Sequence, residues 1–303
     1  MDAHVVSSLP KLLITGANGF TGNHACSHFA KAGFKVIAVV RNHAPAGLFQ
    51  TVVCDLTNKE AVTEMIKKVK PQYLLHLAGQ NHVGESWIDP VSSLEANFLS
   101  TLYLIEALRH ENPTCKIIVV GSALQFNPQE ISTLKHPYSL SKTLQVLIAQ
   151  SWEELYKLPI IIAKPSNLIG PGISNGVCSI FAKNIVAMEE GRSEKKLEVN
   201  NLHAQRDFID VRDVVNAYET LFHKGISGEI YDITSGKSRS LGEVIKCFSL
   251  LANTEFKMVT TSKIEKELPC ENPSSLLNKL GWKPIIPFEV SILDILNFYR
   301  SKK

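Results

Sequence analysis

A tyrosine and a lysine with helical spacing are the first residues that could do chemistry. Tyr138 and Lys142 stand four positions apart in the segment Y-S-L-S-K, and residues four apart share one face of a helix. A phenol normally titrates near pH ~10. A neighbouring ammonium favours the phenolate, so the pair predicts a tyrosine acid/base with a lowered pKa. The alternative is a tyrosine that faces the core beside a lysine that faces water.

Two further polar residues precede this pair. Ser122 follows a predicted strand and can hold a substrate carbonyl or hydroxyl beside Tyr138. Asn97 lies in a predicted helix and can anchor a water or a backbone group for proton relay. The order of these residues behind a glycine loop predicts a catalytic set of Ser122, Tyr138, Lys142 and Asn97.

A glycine-rich turn lies near the start of the chain. Gly16, Gly19 and Gly22 form G-x-x-G-x-x-G between an apolar run and a helical stretch. Glycine lets the backbone approach a pyrophosphate, and the helix N-terminus supplies N–H donors and partial positive charge. In this strand–turn–helix setting the motif predicts a dinucleotide site, with chance glycines in a turn as the alternative.

The residues that end the next two strands bear on the choice of cofactor. An acidic residue after the second strand would bind the ribose hydroxyls of NAD, but Arg41 stands there. A guanidinium suits a 2′-phosphate, which predicts NADP; a solvated surface arginine is the alternative. Asp55, after the third strand, can accept from the adenine amino group or serve as a helix cap or turn.

The elements that must position these residues alternate between strands and helices. Continuous apolar runs typical of buried parallel strands are separated by stretches with helical spacing, one of them predicted over residues 92–110. This predicts an α/β fold with a Rossmann-type doubly wound parallel sheet. We expect residues 1–165 to form an NADP-binding domain to which 211–235 returns, and 166–210 with 236–303 to form a smaller C-terminal α/β substrate-binding portion.

Composition narrows the classes of partner. The 32 basic and 29 acidic side chains leave a formal charge of +3, too balanced for nucleic-acid binding, although local cations can bind a polyanionic small molecule. Six scattered cysteines without a C-x-x-C pair suggest reduced thiols and no metal site. The first ten residues lack a signal-peptide pattern, and no apolar run reaches membrane-spanning length. We therefore expect a cytoplasmic protein without a membrane partner.

Several motifs together resemble a known family. They are T-G-A-N-G-F-T-G (15–22), H-L-A-G (76–79), Ser122, Y-S-L-S-K (138–142) and R-D-F-I-D-V-R-D-V (206–214). The combination resembles the extended short-chain dehydrogenase/reductase family, nearly end to end, to G-W-K-P (281–284). Segments 81–90, 166–172 and 181–186 are most similar to those of GDP-4-keto-6-deoxy-mannose reductases, and next to those of GDP-mannose 4,6-dehydratases.

The resemblance implies an activity and a set of site residues. It implies NADPH-dependent reduction of the 4-keto group of a nucleotide-diphospho-4-keto-6-deoxy sugar, in a homodimer whose C-terminal portion closes over the nucleotide-diphosphate sugar. Tyr138 would be the acid/base, Lys142 would lower its pKa and bind ribose hydroxyls, and Ser122 would position the carbonyl. With the glycine loop, the expected cofactor-binding residues are Gly16, Asn18, Gly19, Phe20, Gly22, Arg41, Asp55, Leu56, Leu77, Ala78, Gly79, Tyr138, Lys142 and Pro165. The expected substrate-binding residues are Ser86, Ser122, Asn167, Lys183 and Arg206. For the two cations, Lys183 and Arg206, the alternative is an ordinary surface position without a substrate contact.

Two departures from the family pattern bear on the reaction. Relatives usually carry carboxylates just after the serine, where this chain has Ala123, Leu124 and Gln125. A 4,6-dehydratase needs such groups to remove the C5 proton and eliminate water, whereas a ketone reductase does not. Glu85 is a possible substitute, although a solvated loop carboxylate is the simpler interpretation. Before Leu268-Pro269 the family often has an arginine that clamps phosphate, and this chain has Lys263–Lys266 instead. The identity of the substrate's nucleotide base therefore stays open.

Three alternatives remain at this stage. A 4-epimerase and a 4,6-dehydratase use the same scaffold. A catalytically inactive cofactor-binding protein belongs to another class, against which the intact Ser122, Tyr138 and Lys142 argue. For the dimer, Leu144, Leu147 and Ile148 either join a helix bundle or face the sheet.

Overall fold

The chain divides into two compact units. The computed structural model describes residues 9–42, 49–260 and 274–302. The first unit is Met1–Lys164 with Tyr218–Tyr231, and the second unit is Pro165–Ala217 with Asp232–Lys303. The segment that returns to the first unit is thus narrower than the expected 211–235. The phosphate clamp sought before Leu268-Pro269 lies outside the described residues.

Helices separate most of the strands of the first unit, as expected, and both units contain strands and helices. The strands are β1 (Lys11–Thr15), β2 (Lys35–Val40), β3 (Gln50–Val53), β4 (Tyr73–His76), β5 (Lys116–Val120), β6 (Ile160–Pro165), β7 (Asn167–Ile169), β8 (Lys196–Val199), β9 (Gln205–Asp210), β10 (Ile230–Ile233), β11 (Ser238–Ser240) and β12 (Lys257–Thr260). The helices are α1 (Phe20–Lys31), α2 (Lys59–Val69), α3 (Val83–Ile88), α4 (Pro90–Leu94), α5 (Ser100–Glu111), α6 (Pro137–Tyr156), α7 (Val177–Glu189), α8 (Val211–Lys224), α9 (Leu241–Leu251), α10 (Ser275–Lys279) and α11 (Phe288–Ser301).

Within the described residues, seven strands form the main sheet. Their order is β10-β6-β5-β4-β1-β2-β3. The pairs β1–β2, β2–β3, β1–β4, β4–β5 and β5–β6 are all parallel. The chain moves outward from β1 in both directions, so the strand order reverses between β1 and β4. Ligands of open parallel sheets bind outside the carboxyl ends of the strands at such a switch point.

The apolar strand runs form the core of the first unit. Leu13, Leu74 and Ile117 are fully buried, in β1, β4 and β5. They belong to one apolar cluster with α2 and α5 residues such as Ile66 and Leu104. A sheet that is covered by helices buries its strands on both faces, which is why these strands read as continuous apolar runs rather than alternating ones.

The helix predicted over 92–110 is interrupted. α4 begins at Pro90, with Asp89 as its N-cap accepting the Ser92 N–H at 2.9 Å, and a π-helical turn, Glu95–Leu99, separates it from α5. The π turn holds Asn97, which is fully buried. Such turns often occur at functional sites because they re-aim a side chain without ending the helix.

The second unit contains two small sheets among its described residues. One has the order β11-β9-β7, with β11 antiparallel and β7 parallel to β9, and the other pairs β12 with β8 in parallel. α8 belongs to both units. Near its start, Asp213 accepts the backbone N–H groups of Ile285 and Ile286 at 3.2 and 3.0 Å, while its later Phe222 packs edge-on against Phe29. This division of α8 explains why the returning segment begins at Tyr218.

No described helix is both long and apolar enough to cross a bilayer. The described residues hold no group of three or more His, Cys, Asp or Glu arranged for a metal ion. Cys26, Cys54, Cys115, Cys178 and Cys247 are free thiols.

Candidate active site

The glycine loop between β1 and α1 is shaped by two close backbone approaches. Gly16 has a φ of +66°, and a Cβ there would lie 2.8 Å from the Ala78 backbone nitrogen. A Cβ on Gly22 would lie 2.1 Å from the Gly16 carbonyl oxygen. No side chain fits at either position, so the loop, α1 and the segment after β4 lie in direct backbone contact. This is the packing that lets a pyrophosphate reach the backbone.

The start of α1 offers its N–H groups to a ligand. Gly19 is the N-cap and has no side chain to satisfy them. The Asn23 side chain braces the loop by donating to the carbonyl oxygens of Asn18 and Gly19 at 3.2 and 3.0 Å. Asn18 and Gly19 are exposed, and Phe20 is half-buried. The first turn of α1 therefore presents partial positive charge at the switch point of the sheet.

Arg41 and Asp55 lie at the ends of β2 and β3, as predicted. Arg41 is exposed. Asp55 Oδ1 accepts the Thr57 N–H at 3.0 Å and the Thr57 hydroxyl at 2.8 Å, and these bonds, with a smaller contribution from Arg41, lower the pKa of the carboxyl group. The turn role proposed as one alternative for Asp55 is present, and its adenine contact stays a prediction. The neighbouring Leu56 packs partly against the core.

The segment after β4 completes the floor of the candidate cofactor site. The backbone N–H groups of Leu77 and Ala78 both donate to the Thr15 hydroxyl at 3.1 Å. Gly79 is exposed, and a Cβ there would lie 2.5 Å from Asn97 Oδ1. This segment is held by side chains from β1 and the π turn, so its position depends on both.

The Asn97 amide joins this floor to the tyrosine helix. Asn97 Oδ1 accepts the Gln80 N–H at 2.9 Å, and Nδ2 donates to the Gln80 carbonyl at 3.0 Å and to Ser141 Oγ at 2.8 Å. Ser141 in turn donates to the Tyr138 carbonyl at 2.9 Å. Both Nδ2 protons are thus used inside the protein. The structure shows Asn97 as an anchor for backbone, while a water relay through it stays a prediction.

Ser122 and Tyr138 are brought together at the end of β5. The Ser122 side chain lies near the Tyr138 phenol and lowers its pKa. Tyr138 is only 7% exposed, and Ser122 also accepts the Leu124 N–H at 3.1 Å. Two adjacent hydroxyls can together receive a single substrate oxygen, since each can turn its proton toward it.

The pKa of Tyr138 moves in the direction opposite to our expectation. Burial raises it above the ordinary value for a phenol, and the neighbouring Ser122 side chain opposes this only in part. Lys142 does not supply the expected compensation, because burial lowers its own pKa to about 7 and its Nζ donates to the Val120 carbonyl at 2.7 Å. The phenol of this structure therefore keeps its proton at neutral pH.

The loop after Ser122 is tied to α6 without a carboxylate. Gln125 Nε2 donates to the Lys142 carbonyl at 3.2 Å, and the Phe126 N–H donates to Thr143 Oγ1 at 3.1 Å. Ala123 and Leu124 are exposed. Glu85, the suggested substitute acid, lies in the first turn of α3 and accepts from Gln80 Nε2 at 3.2 Å.

Two residues hold the first turn of α6. Ser86, expected to bind substrate, is fully buried; its hydroxyl accepts the Tyr138 N–H at 3.1 Å and donates to the Val83 carbonyl at 2.6 Å. Its contact with substrate stays a prediction. His136, which sequence reasoning missed, is the N-cap of α6 and accepts the Ser139 N–H at 3.0 Å. A polar residue directly before Pro137 was the available signal, since proline favours the first helical position.

The remaining predicted residues lie in the second unit. Pro165 ends β6, Asn167 begins β7 and donates to the Asp207 carbonyl at 2.9 Å, and exposed Lys183 and Arg206 lie on α7 and β9. Asp207, also missed, accepts from Ser166 Oγ at 2.5 Å and from the Ser235 N–H and Oγ at 2.9 Å each. It therefore anchors two segments of the second unit.

The switch-point loop and the Ser122–Tyr138 pair together define a class of protein, the NAD(P)-dependent enzymes with a Rossmann-type sheet. Residues 12–234 match the NAD dependent epimerase/dehydratase family, and the chain belongs to that family. The predicted resemblance to the extended short-chain dehydrogenase/reductases is thereby confirmed.

Particular relatives resemble the chain along nearly its whole length. GDP-6-deoxy-D-mannose reductase of Pseudomonas aeruginosa is 28% identical over 308 residues, covering 96% of this chain and 98% of that protein. The dTDP-D-glucose 4,6-dehydratase of Mus musculus is 26% identical over 324 residues, covering 96% and 89%.

Solved structures show the same fold. The structure of RMD from Pseudomonas aeruginosa complexed with NADPH superposes with a TM-score of 0.84 at 27% identity, covering 97% of this chain and all of that one. The UDP-glucose 4-epimerase of Thermus thermophilus, in complex with NAD, gives a TM-score of 0.82 at 22% identity, covering 97% of this chain and all of that one. That second likeness shows the fold alone.

Proposed function

We propose that this chain is an NADPH-dependent reductase of the 4-keto group of a nucleotide-diphospho-4-keto-6-deoxy sugar. The observation that carries the proposal is the neighbouring Ser122 and Tyr138 side chains, together with the segment 123–127 after Ser122, which has no acid or base. Such a site supplies one proton to a carbonyl oxygen and lacks the groups for elimination. The similarity to GDP-6-deoxy-D-mannose reductase supports the same reaction.

The residues of the first unit fit NADPH. The cradle at Gly16 and Gly22, which a Cβ would fill, suits a pyrophosphate, and Arg41 suits the 2′-phosphate. Lys142 would bind ribose hydroxyls. The solved relative that holds NADPH supports this choice. When bound, NADPH supplies a hydride for the carbonyl carbon.

The protein's own part of the reaction is proton delivery. Because its pKa is raised by burial, Tyr138 holds its proton at neutral pH and can donate it to the carbonyl oxygen. Ser122, whose side chain lies beside Tyr138, can donate a second hydrogen bond to that oxygen. The π-turn anchor from Asn97 through Ser141 to the Tyr138 carbonyl holds the helix turn that carries the phenol. The site is thus organised for reduction rather than for initial proton abstraction.

We propose that the second unit binds the nucleotide diphosphate. Lys183 and Arg206 are exposed cations there, and Asn167 is an exposed amide. Guanidinium and ammonium groups form charge-assisted hydrogen bonds with phosphate oxygens. A purely solvent-facing role for the two cations predicts no effect of their removal on the KM of the sugar nucleotide.

The test is a panel of 4-keto-6-deoxy sugars on GDP, dTDP, UDP and CDP, each incubated with the protein and NADPH. We expect NADPH oxidation with at least one member, and the preferred nucleotide identifies the base. Reduction of no member, by a protein shown to bind NADPH, would contradict the proposal.

The same protein is tested as a dehydratase with GDP-mannose and with UDP- and CDP-hexoses plus NADP⁺. We expect no 4-keto-6-deoxy product by mass spectrometry, because Ala123, Leu124 and Gln125 cannot transfer the two protons that elimination requires. Each missing group is worth about 10²–10⁴-fold in rate. Product at enzymatic rates would replace the reductase proposal by the dehydratase alternative, with Glu85 as the candidate base.

We propose further that the enzyme acts as a homodimer in the cytoplasm. On α6, Leu147 is 41% and Leu155 67% exposed, whereas Ile148 packs partly against the core. Exposed leucines on a helix of this length suit a helix-bundle interface. Light scattering of the purified protein is expected to give twice the chain mass of 33.5 kDa, and Leu147→Glu is expected to give the monomer.

A further inference from the structure

A buried chain of hydrogen bonds joins the ends of β1 and β4 to α5 and α6, and the proposed reaction does not use it directly. Thr15 and His76 are the last residues of their strands and lie opposite each other in the sheet. Thr15 Oγ1 and His76 Nδ1 are 2.8 Å apart, and His76 Nε2 is 2.8 Å from Thr101 Oγ1. Gln145 Nε2 donates to the same Thr101 oxygen at 2.9 Å. All four side chains are at most 1% exposed.

The direction of every bond in this chain follows from counting donors. The Thr101 hydroxyl donates to the Asn97 carbonyl at 2.7 Å, so its oxygen must accept from His76 Nε2 and from Gln145. His76 therefore carries its proton on Nε2, and Nδ1 accepts the Thr15 hydroxyl proton. The Thr15 oxygen is left to accept the N–H groups of Leu77 and Ala78 at 3.1 Å.

Only a neutral imidazole with this tautomer satisfies the arrangement. A protonated ring would turn Nδ1 into a donor facing a hydroxyl that must itself donate there. Burial, with a smaller contribution from Lys142, lowers the pKa of His76 to about 3, which keeps the ring neutral at working pH. The ring therefore transmits a fixed hydrogen-bond direction from α5 to the Thr15 hydroxyl.

We infer that His76 is a positioning residue for the cofactor, because its imidazole orients the Thr15 hydroxyl that holds the Leu77 and Ala78 N–H groups against the glycine loop. A Cβ on Gly16 would lie 2.8 Å from the Ala78 backbone nitrogen, so a shift of Ala78 alters the Gly16 turn directly. The inference depends on the proposed cofactor site and adds a residue that touches neither cofactor nor substrate.

The expected consequence of breaking this chain is weaker cofactor binding. In His76→Leu the Thr15 hydroxyl loses its acceptor and Thr101 loses a donor, so the loop samples arrangements that do not bind. The apparent affinity for NADPH is then reduced in proportion to the fraction of molecules whose loop can still bind. Leaving buried hydrogen-bonding groups without partners predicts a rise in the NADPH Kd of about 10- to 100-fold.

The test is titration of purified variants with NADPH, followed by fluorescence or calorimetry, without any sugar substrate. His76→Gln offers an amide oxygen toward Thr15 and an amide N–H toward Thr101, so we expect it to restore the Kd to within roughly threefold of wild type. Ser100→Ala is the matched control. Its hydroxyl, 1% exposed on α5, donates to the Ala96 carbonyl at 2.7 Å, so its loss is expected to lower the Tm and leave the Kd unchanged.

If His76→Leu does not fold, a second pair of variants tests whether NADPH binding depends on the Thr15 hydroxyl. Thr15→Val removes the hydroxyl and is expected to weaken NADPH binding as His76→Leu does, while Thr15→Ser retains it. The inference would be overturned if His76→Leu or Thr15→Val bound NADPH with wild-type affinity, or if His76→Leu and His76→Gln weakened binding equally. Either outcome would leave the proposed function standing. A wild-type protein that binds no NADPH would overturn the proposed function and this inference together.

Discussion

Tyr138 and Lys142 titrate away from their ordinary values for the same reason, which is burial. Burial raises the pKa of the phenol and lowers that of the ammonium to about 7. Each side chain is thus moved toward its neutral form, because a low-dielectric surrounding disfavours charge of either sign. At neutral pH a protonated phenol lies on the same helix face as a lysine whose pKa is well below its ordinary value.

Replacing Tyr138 by Phe tests the proton donor. The ring keeps its packing and the fold is retained, but the proton for the carbonyl oxygen is lost. We expect kcat to fall by about 10²–10⁴-fold with NADPH still bound. Tyr156→Phe, at an exposed tyrosine on the same helix, is the control and is expected to keep full activity. Retention of most activity in Tyr138→Phe would exclude the assigned mechanism.

The buried lysine makes stability depend on pH. An unfolded lysine keeps its proton up to a pKa near 10.5, whereas folded Lys142 releases it near 7. Between those values the unfolded chain binds more protons, so the free energy of unfolding rises with pH. Urea unfolding of the cofactor-free protein at pH 7, 8 and 9 is therefore expected to show a steeper rise for wild type than for Lys142→Met. Parallel curves would show that Lys142 does not titrate in this range.

Arg41 is expected to decide between the two cofactors. A guanidinium that binds the 2′-phosphate contributes about 1.5–3 kcal/mol through charge-assisted hydrogen bonds. Arg41→Ala is therefore expected to raise the NADPH Kd by roughly one to two orders of magnitude and leave NADH binding almost unchanged. Arg192→Ala, at an exposed arginine of the second unit, serves as the control. Equal losses for both cofactors would rule out Arg41 as the discriminating residue.

At the scale of elements, the proposed cofactor site depends on how closely α1 approaches the loop that precedes it. The nearest atom to a Cβ on Gly22 would be a backbone oxygen, and backbone cannot rotate aside as a side chain can. The helix or the loop must therefore shift if a side chain is added. A position inside a helix, where glycine ordinarily weakens the structure, is here required to be glycine.

Gly22→Ala is expected to disrupt this packing. Overpacking of this kind costs about 1–3 kcal/mol, so we expect the NADPH Kd to rise by roughly 10- to 100-fold. Gly242→Ala is the matched control, since a Cβ on this helical glycine of α9 meets its nearest atom at 3.4 Å, an ordinary contact. NADPH affinity is measured by fluorescence. An unchanged affinity in Gly22→Ala would argue against a pyrophosphate at this turn.

The molecule as a whole consists of two units with separate means of support. The first has a parallel sheet, an apolar core and the polar chain through His76. The second has its own apolar cluster and a set of acidic anchors in the segment 206–214, among them Asp207 and Asp213. The R-D-F-I-D-V-R-D-V motif therefore serves the architecture of the second unit through its carboxylates.

Removing Asp207 is expected to destabilise the protein without changing the cofactor site. The carboxylate accepts hydrogen bonds from Ser166, Ser235 and Lys237. Asp207→Ala is expected to lower the free energy of unfolding by about 1.5–3 kcal/mol, measured by urea denaturation. The NADPH Kd of the folded protein is expected to stay at the wild-type value, because the expected cofactor contacts other than Pro165 lie in the first unit. A parallel loss of NADPH affinity would show that the two effects are not separable.

The sequence by itself determined the Rossmann-type sheet and the family. Glycine spacing, apolar periodicity and the Y-S-L-S-K segment are local patterns, because each depends on residues within one turn or one element. The placing of residues after strands follows from the same local patterns; Ser122, for example, was expected to follow a strand, and β5 ends at Val120. β1 and β2 are parallel neighbours, so the glycine loop after β1 and the residue that follows β2 lie at the same edge of the sheet. This too follows from the order of the elements in the sequence.

Only the tertiary structure decided the directions of the pKa shifts and which distant residues are hydrogen-bonded to each other. Burial depends on what packs around a residue, so the sign of the Tyr138 pKa shift could not be read from the lysine four positions away. The Thr15–His76 bond joins residues 61 positions apart, and Asp213 holds residues 72 and 73 positions later. Hydrogen bonds of that separation leave no periodic signal in the chain, since the distance between their partners is set by the fold and not by the neighbours of either residue.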